Sequence, residues 1–182
     1  MTEATDPEAV RLAARDRIAS TSGAWSAGEV AVTAFLRLVV ADLHRTSAVV
    51  VEHAEFGHYG SGTASFVEVS FTSRDGSRRR GDEVTVLSLC LSRLAPFAAL
   101  LTPTVRTATS HDLPHLDRAA TPPVPGWERE CAAVVQVLDR HDLALLQPRV
   151  LAQPISGDIR IDTFLADRPP YAVFDAWFHW ND

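Results

Sequence analysis

The chain is 182 residues long, 46 % hydrophobic and 22 % charged, with a formal net charge of −6 at neutral pH. This composition excludes a disordered or fibrous design and fits one ordinary globular domain, and the acidic balance argues against a nucleic-acid binder driven by phosphate neutralisation. All seventeen basic side chains are arginine, which excludes Schiff-base chemistry, a phosphate-loop lysine and a serine–lysine base, and leaves pH responses to seven histidines, the carboxylates and two cysteines.

Met1 to Glu8 carries acids where a secretory signal carries bases. Asp6-Pro7-Glu8 then forms a helix start, with Asp6 as cap and Pro7 at the first helical position, and predicts a helix over Pro7 to Ser20. Its apolar stripe of Val10, Ala14 and Ile18 is thin, so residues 1–24 are expected to hold a peripheral helix. Ser26 to Glu29 has capping-box spacing before an apolar run, predicting a deeply buried helix over Ala27 to His44.

Three strands follow, over Ser47 to Phe56, Ser65 to Ser73 and Glu83 to Cys90, joined by turns at Gly57 to Gly62 and Arg74-Asp75-Gly76. In the second, Val67, Val69 and Phe71 alternate with Glu68, Ser70 and Thr72, so the three are expected to form an antiparallel meander with one face open to water. The apolar phase shifts between Val86 and Leu87, which implies a bulge or early passage into a helix. The apolar stretches Val84 to Leu101 and Val30 to Leu43 are interrupted by Arg93 and Pro96, and by Arg37 and Asp42. Neither reaches the roughly 18 to 20 clean residues of a membrane helix, so a cytoplasmic protein without membrane contact is expected.

Residues 102–126 hold five of the eleven prolines and read as a long Pro/Thr-rich loop. Trp127, Cys131, Val134, Val135 and Leu138 then mark one face of a helix. An edge strand is expected over Asp158 to Phe164, and the alternation of Ala172, Phe174, Ala176, Phe178 and Trp180 predicts a terminal strand. Cys90 and Cys131 lie in apolar runs without metal or redox spacing and are expected to be buried free thiols. The sum is a single α+β domain over residues 1–182: a mostly antiparallel sheet of four or five strands with helices packed on one face.

Four clusters carry chemistry. His53, Glu55 and His58 place an imidazole beside a carboxylate at a strand end, an acid–base arrangement that His179 joins if the terminal strand pairs nearby. His111, Asp112, His115 and Asp117 are the set best suited to a divalent metal, although Pro114 breaks any helical spacing between the histidines; no other cofactor is expected. Arg78-Arg79-Arg80 could clamp a phosphate or carboxylate through guanidinium forks, but Asp75, Asp82 and Glu83 flank it and favour a solvated hairpin tip. Tyr171, Asp175 and Trp177, with Asp158 and Asp162, are candidates to face a protein partner. The resulting expectation is a small acidic binding protein, a regulator or immunity-type inhibitor of a basic protein partner. The alternative is a small enzyme or ligand pocket built on the His53–Glu55 pair.

Overall fold

The computed structural model describes residues 23–57, 63–107, 114–155, 161 and 170–181. The expected helix over Pro7 to Ser20 lies outside them, as does the strand over Asp158 to Phe164 apart from buried Ile161. A short helical turn, α1 (Gly23–Ser26), precedes the long helix α2 (Glu29–Arg45). The capping box does not form. The Ser26 hydroxyl donates to the Gly23 carbonyl at 2.8 Å. Gly28, at φ 89°, provides the left-handed break between the two helices and leaves Glu29 as the first residue of α2.

The sheet is built on the expected meander of β1 (Val49–Glu55), β3 (Phe66–Ser73) and β5 (Glu83–Ser92), all antiparallel. It extends through β6 (Phe97–Leu100) to β8 (Ala144–Leu145), which runs parallel to β6. Two short strands, β4 (Arg79–Arg80) and β7 (Thr104–Arg106), pair with the first half of β5 and bring the sheet to seven strands. The fold is α+β, with more strands than expected because strands of two or three residues carry no period to read. A separate pair joins β2 (Thr63–Ala64) to β9 (Trp180–Asn181). The proline-rich segment is accordingly not all loop: it contains β7, a bridge from Leu101 to Ala119 and a 3₁₀ turn over Leu116–Arg118.

Every residue of β3 is buried. Val67, Val69 and Phe71, with Leu87, Leu89 and Leu91, face the core made by α2 and α3 (Glu128–Arg140). Phe66, with Cys90, Ala99 and Leu101, faces the opposite way, into a second core with α4 (Pro148–Leu151) and α5 (Val173–Trp177). The second sheet face is therefore covered rather than wet at this end. The same fact explains the phase shift in β5: Val86 and Leu87 are both buried because both faces are, and the only register shift in the β1–β3 pairing falls between Val51 and His53.

Helix α3 buries Cys131, Val134 and Leu138 behind Trp127 as its spacing predicts, with Val137 rather than Val135 completing the stripe. Both cysteines are free and buried, and burial pushes both thiols above the ordinary cysteine value.

The expected terminal strand is instead the helix α5, and only Trp180–Asn181 is extended. The reason is packing. Residues 171–175 and 177–178 are all buried, so the tail is apolar on every side and period two cannot be told from the i, i+4 pairs Val173/Trp177 and Phe174/Phe178. Asp175 decides for the helix, because its Oδ2 accepts the Ala172 N–H at 2.7 Å.

Burial pushes the Asp175 carboxyl above its ordinary value, opposed by the Ala172 N–H. A carboxyl raised in the folded state contributes most to stability below its unfolded pKa, and that contribution is lost as pH rises through the folded pKa. Asp175→Asn, which keeps an acceptor for Ala172, is expected to be at least as stable as the wild type at pH 7. Urea midpoints measured across the acid range should show that difference shrinking below the ordinary aspartate pKa; a gap that grows on acidification contradicts this.

Candidate functional site

Helix α2 is apolar around most of its circumference, and such a helix needs cover on more than one side. Its inner stripe of Val32, Leu36, Val39, Val40 and Leu43 is buried on the sheet. Its outer ridge is not: Val30 is 85 % exposed, Leu38 60 %, and Ala34 between them is also exposed. The i, i+4, i+8 spacing places the three along one line. The expected deep burial thus holds for one face only.

The ridge runs on through Asp42 and Arg45 into an open groove of about 520 Å³ between the end of α2 and α3, where Ser47, Gln136, Asp139 and Arg140 also line it. Asp42 accepts a hydrogen bond from Arg45 at 2.6 Å, and its Oδ2 lies 2.9 Å from Nε2 of His141. The His141 hydrogen bond first, then Arg45, holds the Asp42 carboxyl below the ordinary aspartate range. The His141 ring stands edge-on to Phe35 at 5.6 Å, and Phe35 to Trp25 at 5.3 Å. This latch fixes the end of α3 against α2, so the groove is held by side chains from both helices.

A second cluster lies on the sheet face opposite α2 and α3. Glu68, Ser70, Thr72 and Ser88 are all buried there. Glu68 Oε1 accepts from Arg106 Nη2 at 2.5 Å and from the Ser88 hydroxyl at 2.7 Å. The Thr72 hydroxyl donates to the Thr85 carbonyl at 2.9 Å, while Arg118 reaches the Thr104 hydroxyl at 3.3 Å. A carboxylate and a guanidinium taken out of water need each other and further hydrogen bonds, and for Glu68 the Ser88 hydroxyl supplies one. Sequence reasoning assigned Glu68 to a wet face; the signal that could have located it is the matching Ser88 and Cys90 on the neighbouring strand.

The His53–Glu55 contact exists, with 3.4 Å between Nε2 and Oε2, at the outer strand of the sheet where His53 is 53 % exposed. Glu55 is further held by the Gly57 N–H at 2.5 Å. His58 lies outside the described residues. His179 does not join the pair: its N–H donates to the Ser65 hydroxyl at 2.9 Å, its carbonyl accepts from the Ser65 N–H, and no bond among the described residues links it to His53 or Glu55.

Of the metal set, His115 is exposed just before the 3₁₀ turn and Asp117 is exposed within it, and His111 and Asp112 lie outside the described residues. Among the described residues no group of three or more metal-ligating side chains occurs. The candidates for a partner surface are corrected: Tyr171, just before α5, is buried in the second core, and so are Asp175 and Trp177, which the helix turns inward where a strand presents alternate sides. Asp158 and Asp162 lie outside the described residues. No described helix is long and apolar enough to cross a membrane.

Comparison with protein-family models, curated proteins and solved structures found no significant match.

The Glu68–Arg106 pair sets a measurable expectation. Arg106→Met leaves a buried carboxylate without its guanidinium and should cost about 3–5 kcal/mol, whereas the double variant Glu68→Leu/Arg106→Met should recover most of that loss. Urea unfolding of the two variants checks this, and a single-variant loss below about 1 kcal/mol, the range of an exposed pair, contradicts it.

Proposed function

We propose that the protein acts by binding another protein, and that it does so through the outer face of α2. The observation that carries this reading is the exposed ridge of Val30, Ala34 and Leu38 running into the charged groove at Asp42, Arg45, Asp139 and Arg140. An apolar strip beside a polar rim is the anatomy of a protein interface, and large apolar side chains on a helix face are its usual anchors. The groove carries both signs of charge, so this face suits a partner of mixed charge. A basic partner is supported only by the net charge of −6. In either form the role is that of a regulator or inhibitor working by occlusion.

The acid–base alternative has narrower support, namely the 3.4 Å contact between His53 and Glu55 at an exposed strand. General acid–base work needs a position that holds substrate against the pair.

Val30 and Leu38 pack against little, so Val30→Asp/Leu38→Asp should fold with an unchanged thermal midpoint. Tagged wild type from the native host should co-purify with one protein near one-to-one stoichiometry, and the double variant should lose it by at least about tenfold, the equivalent of one interface hot spot. Retention of the same protein by the variant, or a wild type that purifies alone, contradicts the reading.

A further inference from the structure

Of the three arginines at the β4–β5 hairpin, two are held by the fold. The Arg79 guanidinium pairs with Glu52. Arg78 lies with its guanidinium carbon 4.6 Å above the Trp127 ring and donates to the Gly126 carbonyl. Gly126 is itself constrained by φ 75°, and a Cβ there would come within 3.3 Å of Arg78 Nη2. Ring, carbonyl and missing side chain thus hold Arg78 in one place. Arg80 is different: it is exposed, and its guanidinium makes no hydrogen bond or ion pair among the described residues.

Arg78 and Arg80 line a hollow of about 170 Å³ together with Ser77, Glu83, Thr85 and Val105, room for about five or six waters. Thr85 and Val105 are cross-strand partners, and Val105 is 54 % exposed. Two arginines, one of them held in place by the fold, therefore line the hollow together with one exposed aliphatic side chain. Guanidinium forks match the planar oxygens of a carboxylate. Glu83 at the same hollow, with Asp75 and Glu128 near Arg78, opposes a dianion more than a monoanion.

We propose that this hollow binds a single carboxylate attached to a short aliphatic group, with Arg78 and Arg80 clamping the oxygens and Val105 receiving the aliphatic part. A free branched-chain acid and a peptide ending in valine share this chemistry.

The test is an NMR titration of the full chain, read at the Val105 methyls, with isobutyrate, acetyl-Ala-Val, acetyl-Ala-Val amide and inorganic phosphate. Saturable binding of isobutyrate is expected, weakened about tenfold in Arg80→Ala, the loss of one charge-assisted contact. That variant removes no side-chain hydrogen bond or ion pair among the described residues. Glu83→Gln should tighten binding a few-fold. Binding by isobutyrate as strong as by the peptide assigns the hollow to free acids, and clearly tighter peptide binding assigns it to a chain terminus. Equal binding of the amide, tighter binding of phosphate, or Arg80→Ala binding as well as wild type overturns the proposal.

Discussion

The double burial of β3 is the constraint on which the rest of the structure depends. With all eight residues of Phe66–Ser73 out of water, the strand needs cover on two sides, which α2 and α3 give to one face and α4 and α5 to part of the other. Burial also makes its polar residues costly unless partnered. Glu68 is therefore met by Arg106 and Ser88, and Thr72 by the Thr85 carbonyl. At the end of the strand the Ser73 hydroxyl donates to buried Glu130 at 2.6 Å. β7 matters for the same reason: three residues long and without a readable period, it delivers Arg106 to the one buried carboxylate of the central strands.

Without lysine, long-range tethering falls to guanidiniums, whose several N–H groups can hold more than one carbonyl. Arg74 joins the end of α2 to β1 by donating to the carbonyls of His44, Thr46 and Val49 at 2.8–3.1 Å. Arg93 donates to the carbonyls of Phe56 and Phe66 and to the Thr33 hydroxyl, tying α2 to the ends of two strands, and its partial burial lowers its pKa from the ordinary arginine value. In the sequence Arg93 served only to interrupt an apolar run. Arg93 reaches its three acceptors from three different nitrogens, Nε, Nη1 and Nη2, which the single nitrogen of an ammonium could not do, so arginine is structurally used at this position.

The long elements were legible because each shows water one face and the core another. Trp127, Cys131, Val134 and Leu138 gave α3, and the alternation Val67, Val69, Phe71 gave β3. Legibility failed where that contrast vanishes. The tail around Phe174 is buried on all sides, so strand and helix periods coincide and a hydrogen bond from Ala172 to Asp175 settles the outcome. Glu68 was misplaced by the same rule in reverse, since an alternating strand hides polar residues when its second face is also covered. The α2 ridge was half legible: a run apolar on all sides signals two buried faces, and the sequence does not say that Val30 and Leu38 remain outside the chain's own core. The His53–Glu55 contact followed from i, i+2 spacing on one strand, whereas the separate position of His179 depends on the pairing of β2 with β9.

The most direct test of the outer α2 face is thiol footprinting of Leu38→Cys. The native cysteines are buried, with thiols pushed up by burial, and give little background. Maleimide labelling of position 38 should be fast in the purified protein and strongly slowed in an extract of its native host, while a cysteine placed at exposed Asp82 labels alike in both. Equal labelling of position 38 in both settings would mean that nothing covers the ridge and would contradict the docking role proposed for it.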